Sequence, residues 1–304
     1  MKLLLVVNPM ASSVTARRRV AVEDILAADH ELSVVVTKNR DHATELARRG
    51  AGQEMDVVVV LGGDGTINEV ANGLVGSSTA LGALPGGSTS VFARTLGFTN
   101  DLVVAAKELT AALEAGSRRR VEMGTANGRR YLFNLGVGFD AEVVGHVEGG
   151  SLKRRFGQAA FVYSSLVTWL SQEDRTKPHL SVKIAGDDTT YGGSFVLCLN
   201  TNPYTYLGKR PLNVAPGTGF GTGLAVAVLR DVRLATLGKV MRCAFGDGHD
   251  VGRQPGVTLR TDVEAVTITG DDPFPYQVDG EYLGRVNTLE VGYESDCLDV
   301  VTPS

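Results

Sequence analysis

The run Val57-Val58-Val59-Val60-Leu61-Gly62-Gly63-Asp64-Gly65-Thr66-Ile67-Asn68-Glu69 decides the fold. Its five apolar residues, bounded by Asp56 and Gly62, read as a strand buried on both faces of a parallel sheet. The strand breaks at once into a glycine-rich turn that opens a helix. Glycine there permits positive φ and close approach of a phosphate, and the first helical N–H groups point at it. Asp64 would repel a bare phosphate. A Mg²⁺ between them, or an acceptor hydroxyl to be deprotonated, reconciles the carboxylate with the loop.

Outward from this run, strands at 3–7, 32–36 and 80–84 alternate with helices at 15–28, 42–49 (closed by Gly50), 91–96 and 102–114 (ending near Gly116). This is a βαβ layout. Two more strand ends resemble the first in kind: Asn8-Pro9-Met10-Ala11-Ser12-Ser13 and Pro85-Gly86-Gly87-Ser88-Thr89-Ser90. In a parallel sheet all three loops share the carboxyl edge, where ligands bind. After Arg118-Arg119-Arg120 the pattern changes to short β-rich segments at 131–135, 180–184, 194–200, 224–229, 257–260, 265–269 and 288–291, separated by turn residues. That texture predicts an antiparallel sandwich or curled sheet, interrupted by helices at 157–170 and 233–244.

Composition narrows the function classes. A chain of 304 residues, 43% hydrophobic and 21% charged, is globular and long enough for two domains. With 37 glycines it exceeds the usual share, and the excess falls in short loops rather than in low-complexity tracts. A net charge of −4 argues against a broad nucleic-acid footprint. Cys198, Cys243 and Cys297 are odd in number and match no zinc spacing, which fits a reducing cytosol. The apolar start ends at Asn8-Pro9, too soon for a signal peptide, and residues 161–170 are too short for a membrane span. A cytoplasmic protein is expected.

Familiar nucleotide fingerprints fail. Gly208-Lys209-Arg210 has no following Ser or Thr, so no Walker loop exists. Gly136-Val137-Gly138-Phe139-Asp140-Ala141 satisfies G-x-G-x-x-A, yet Gln158 and Ala159 stand where an acidic ribose partner belongs; it reads as a decoy. Lys153-Arg154-Arg155-Phe156 and the apolar residues to Leu170 read either as a core helix with a basic start or as an amphipathic helix at anionic headgroups. Asp279-Gly280 by itself reads as a hairpin turn.

Taken together, several motifs resemble the diacylglycerol kinase catalytic family: Asn8-Pro9, GGDGT at 62–66 with Asn68-Glu69, Pro85-Gly86-Gly87-Ser88 with Phe92-Ala93-Arg94, the 134–140 segment, and Val278-Asp279-Gly280-Glu281. That family includes lipid kinases acting on diacylglycerol, sphingosine and ceramide. The resemblance implies a phosphofructokinase-like, NAD-kinase-like α/β domain over 1–120 and a mainly antiparallel β-sandwich lipid domain over 121–293, with residues 294–304 returning to the first. It implies ATP contacts at Asn8, Pro9, Ala11, Ser12, Ser13, Thr37, Gly63, Asp64, Gly65, Thr66, Asn68, Glu69, Gly87 and Ser88. It also implies Mg²⁺ near Asp64, and a catalytic base at Glu281 first and Asp279 second, taking the proton of a lipid hydroxyl. The partners implied are ATP and a lipid at a membrane surface, on the inner face; a homodimer is left open. Ser90 and Val91 stand where the family pattern has Asn and Asp, and the 216–223 loop lacks the aspartates of the family's structural Mg²⁺ loop. An NAD-kinase-like enzyme and a non-catalytic nucleotide or lipid sensor of the same fold are the alternative readings.

Overall fold

A computed structural model describes residues 1–138, 141 and 178–303. The chain divides into two compact units, Met1–Glu122 with Ser295–Ser304, and Met123–Glu294.

In the first unit, β1 (Lys2–Val7), α1 (Ala16–Ala27), β2 (Glu31–Val36), α2 (His42–Gly52), β3 (Val57–Gly62), α3 (Asp64–Leu74), β4 (Ala80–Pro85), α4 (Val91–Thr95) and α5 (Leu102–Glu114) follow in order. β1 pairs in parallel with β2 and β3, and β3 with β4, so all four carboxyl ends lie on one edge. Every residue of β3 and β4 is buried, as their continuous apolar runs require. Helices cover both faces. A Cβ on Gly50 of α2 would lie 2.9 Å from the Leu4 side chain and 3.1 Å from that of Val58. On the opposite face, a Cβ on Gly82 would meet Leu109 of α5 and Val59, each at 3.3 Å. Gly50 therefore does not close α2, which runs on to Gly52. Its missing side chain lets the helix lie on β1 and β3, a packing task that a local reading takes for a stop signal.

The arginines that mark the change of texture begin β5 (Arg118–Ala126), which carries the chain into the second unit. There β6 (Arg129–Tyr131), β7 (Asn134–Gly138), β8 (Leu180–Ile184), β9 (Thr190–Gly193), β10 (Phe195–Leu199), β11 (Thr205–Leu207), β12 (Arg210–Leu212), β13 (Leu224–Leu229), α6 (Leu234–Ala244), β14 (Val257–Val263), β15 (Ala265–Val278) and β16 (Glu281–Val301) follow. The pairings β10–β13, β10–β7, β13–β14, β15–β16, β15–β7 and β15–β8 are all antiparallel. β13 is buried on both faces: Leu224, Val226 and Val228 join one core cluster, and Ala225, Ala227 and Leu229 join another, which α6 covers with Val240 and Ala244. The decoy reading agrees with this topology, since Gly136-Val137-Gly138 lies within an antiparallel strand. β16 carries the chain back. Val300 pairs in parallel with Leu81 of β4, Gly76 donates to the Cys297 carbonyl, and Arg120 pairs with Asp299 at 2.9 Å.

Two sequence readings are corrected. The 131–135 segment is not one strand, because the N–H groups of Leu132, Phe133 and Asn134 leave the ladder and donate to the Asp279 carboxylate. The separate segments 265–269 and 288–291 belong to two long strands, β15 and β16. Gly270-Asp271-Asp272-Pro273 resembles a turn but is an irregularity within a strand that continues to Val278. The readings of 139–140, 153–156 and 157–170 lie outside the described residues.

Candidate active site

At the carboxyl edge of the first unit, three loops are tied together by named bonds. β1 ends where Asn8 donates its backbone N–H to the Leu61 carbonyl at 2.9 Å. The Asn8 side chain then serves both sides: Nδ2 donates to Thr66 Oγ1 at 2.8 Å, and Oδ1 accepts from Met10 N at 3.0 Å. Further along that loop, Ser13 donates its backbone N–H to Gly86 O and its hydroxyl to Gly87 O. Gly86 N in turn donates to Gly62 O at 3.0 Å. Only glycine fits this approach. A Cβ on Gly86 would lie 2.7 Å from the Gly62 oxygen, and one on Gly87 would lie 3.0 Å from the Gly63 Cα. Thr37 extends the β1–β2 ladder by donating to Val7 O, which puts it on the same edge.

The first intrahelical bond of α3 runs from Ile67 N to Gly63 O, so the N–H groups of Asp64, Gly65 and Thr66 precede the ladder. A Cβ built on Gly65 meets nothing within 4 Å, so space beside these donors is open. An α-helix that opens with the amides of Gly65 and Thr66 over a glycine cradle fits an anionic phosphate group. Among the described residues no group of three or more His, Cys, Asp or Glu side chains is arranged to hold a metal. A Mg²⁺ here would share its coordination with substrate phosphates, as that ion commonly does.

Asp64 has a second task. Its carboxylate accepts from Val91 N and Phe92 N, each at 3.0 Å, and from the Thr89 hydroxyl at 3.4 Å, so it anchors the start of the five-residue α4. Ser90 is the N-cap residue there, buried and left-handed at φ 48° and ψ 52°, with its hydroxyl bonded to both Gly87 N and Gly87 O. Two other predicted nucleotide contacts are engaged elsewhere. Glu69 accepts from Ala43 N at the start of α2, and buried Asn68 accepts from Asn72 Nδ2 one turn along α3. The structure thus joins Asn8, Ser13, Gly63 to Thr66 and Gly87, with Thr37 and exposed Ser12 and Ser88 on the same edge. The roles of Ser90 in the turn and of Glu69 as a helix cap have no local sequence signal.

In the second unit, Val278 pairs with Glu281 across a two-residue turn in which Asp279 (φ 49°) and Gly280 (φ 79°) are both left-handed. This is the hairpin geometry that Asp-Gly favours. Asp279 is buried, and its two oxygens accept from Leu132 N (2.7 Å), Phe133 N (2.9 Å) and Asn134 N (3.1 Å). Gln277 completes the node by accepting from Gly280 N and donating to Asn134 Oδ1, while Asn134 Nδ2 donates to Tyr204 O. Glu281 is held differently, facing the Arg129 guanidinium at 3.4 Å with 13% of its side chain exposed.

These features define a class: an α/β domain with a glycine-rich cradle at its carboxyl edge, continued by an antiparallel β-rich unit with a buried carboxylate at Asp279. Residues 2–126 match the family model of the diacylglycerol kinase catalytic domain. The match runs from the start of β1 to the end of β5. The diacylglycerol kinase of Bacillus subtilis (strain 168) is 27% identical over 287 residues, covering 93% of this chain and 90% of the relative. That of Staphylococcus aureus (strain JH9) is 27% identical over 306 residues, covering 99% and 92%. In shape, the crystal structure of a diacylglycerol kinase from Bacillus anthracis (Sterne) covers 99% of this chain and 96% of its own at TM-score 0.72 and 20% identity. Another structure from that organism reaches TM-score 0.79 at 22% identity.

Proposed function

We propose that this protein is an ATP- and Mg²⁺-dependent lipid kinase that phosphorylates a hydroxyl of diacylglycerol or a closely similar lipid. The observation that carries the reading is the cradle at the carboxyl edge, where glycine contacts and Asn8 hold open N–H groups at the start of α3, within the residues that match the diacylglycerol kinase catalytic domain. The amides of Gly65 and Thr66 bind phosphate oxygens, and Asn8 fixes the Thr66 hydroxyl beside them. Asp64 sets the position of the loop before α4, and Mg²⁺ bound with the nucleotide would neutralise charge on the transferring phosphoryl group. Glu281 is the general base. Asp279 accepts three amide hydrogens and positions the hairpin, whereas a base needs a lone pair directed at the acceptor hydroxyl.

The test is transfer of label from γ-labelled ATP to mixed micelles of diacylglycerol, monoacylglycerol, sphingosine or ceramide, with NAD as a separate acceptor. Label in one lipid, abolished by chelating Mg²⁺ and by Glu281→Gln, is expected. Label in NAD alone would replace the lipid reading with a dinucleotide kinase, and nucleotide binding without transfer would make the protein a sensor.

A further inference from the structure

Two exposed elements of the second unit share one chemistry. On α6, Leu234, Gly238 and Met241 follow at i, i+4 and i+7 and form an apolar strip on the solvent side, with Leu234 60% and Met241 41% exposed. Beside it runs a second exposed strip, Ala235, Lys239 and Arg242, with Arg233 at the N-cap. The opposite side of the helix is anchored by Val240 and Ala244, so the exposed strips are fixed in orientation. The β11–β12 hairpin repeats the pattern. Its turn presents Leu207, 45% exposed, next to Lys209 and Arg210, with Gly208 at φ 61°.

Both elements are rooted in one core cluster, through Tyr204 and Leu212 at the hairpin base and Val240 and Ala244 of the helix. They are also stitched together: Asn213 donates its backbone N–H to Ala244 O at 2.7 Å and its side-chain amide to Gly246 O at 3.0 Å. Across these two elements and the N-cap there are five basic residues, Lys209, Arg210, Arg233, Lys239 and Arg242, and no acidic one, in a chain of net charge −4. Among the described residues none of the five makes an ion pair. The acids that flank α6 are occupied: Asp231 takes the Thr236 hydroxyl, Asp247 faces His249, and Asp250 pairs with Arg253.

We propose that α6 and the β11–β12 hairpin form the surface by which this protein docks on an anionic bilayer. The argument is charge complementarity with apolar anchors. Leucine and methionine side chains enter the acyl boundary while lysine and arginine remain at the headgroups, and isolated apolar contacts without the basic residues would not select anionic lipid. The inference rests on the lipid-kinase reading, because an acceptor held in a bilayer requires an enzyme that binds its surface.

The experiment measures co-sedimentation of the full chain with phosphatidylcholine vesicles, with and without phosphatidylglycerol. Binding should require phosphatidylglycerol and weaken as salt shortens the screening length from about 10 Å at 0.1 M to about 3 Å at 1 M. Lys239→Gln with Arg242→Gln, and Lys209→Gln with Arg210→Gln, should each weaken it by about five-fold per charge removed. Leu207→Asp with Leu234→Asp should abolish it. The same variants should phosphorylate a water-soluble short-chain diacylglycerol at the wild-type rate and slow only on diacylglycerol in anionic vesicles. Wild-type vesicle affinity in the variants, or equal binding to neutral vesicles, overturns the docking surface while leaving the kinase reading intact. A change in sedimentation mass with unaltered vesicle binding also overturns it, making the face a contact between copies. Vesicle binding through these residues without transfer to any lipid sinks the kinase reading and keeps the surface.

Discussion

Two aspartates, Asp64 and Asp279, serve the same backbone chemistry in different units. Each directs both carboxylate oxygens at successive N–H groups, Val91 and Phe92 in one case and Leu132 to Asn134 in the other. Removing a buried anion of this kind strands its donors, which costs about 1–3 kcal/mol per group. Asp279→Ala should therefore lower urea stability by about 3 kcal/mol or more, whereas Glu281→Gln should leave it nearly unchanged and remove phosphotransfer. Wild-type turnover in Glu281→Gln would transfer the base role away from that residue. Ser90 poses a smaller problem. Its left-handed backbone is one that asparagine adopts more readily than serine. Ser90→Asn should raise stability by about 0.5 kcal/mol, checked by urea unfolding; a loss would mean that the pair of bonds from the Ser90 hydroxyl to Gly87 outweighs the backbone preference.

Among the elements, α2 and α3 meet through a position where no side chain fits. A Cβ on Gly73 would lie 2.6 Å from Thr44 O and 2.7 Å from the Ala47 Cβ, so the helices approach on a bare backbone. Since α3 also opens the cradle proposed to hold phosphate, Gly73→Ala should destabilise by about 1–3 kcal/mol through overpacking and weaken nucleotide binding. Loss of stability with unchanged ATP affinity, measured by titration calorimetry, would show that the strain stays at the far end of α3. The same element shows what the sequence makes legible. The strand, double glycine and helix start were readable because strand burial and turn chemistry both act within a dozen residues. The tasks of Gly73 and Gly50 were not, since they are set by residues brought near only by the fold. β5, the β11–β12 hairpin and the full length of β15 and β16 lay beyond local pattern for the same reason: long-range pairing overrides turn-like residues such as Gly270 to Pro273. Asp279-Gly280 was legible as a hairpin, but its carboxylate's reach to Leu132, 147 positions away in sequence, was not.

For the molecule as a whole, the alternation of β and α elements before residue 120 and their replacement by strands after it foreshadowed two units with separate cores. Those cores should respond differently to alkaline pH. The second contains Tyr131, whose ring is fully buried opposite Gly124, where any Cβ would collide with it. Its hydroxyl has no partner among the described residues. Burial first, then the nearby Cys198 and Asp279, push the phenol well above its ordinary 10.0, and burial pushes the Cys198 thiol from 9.0 up to about 12. Both groups keep their protons in the folded chain after the unfolded chain has released them. Their contribution to stability is therefore complete below pH 9 and falls as pH rises, through the window from 9 to about 12 for Cys198 and from 10 upward for Tyr131. Tyr131→Phe keeps the ring against Gly124 and deletes an unpaired hydroxyl, so it should stabilise the chain by about 1 kcal/mol at pH 8. It should also flatten the loss of stability between pH 10 and 11. Urea unfolding of wild type and variant across that range checks both effects. A variant less stable at pH 8 would show that the hydroxyl is satisfied in solution, and a slope equal to wild type would assign the alkaline loss to Cys198.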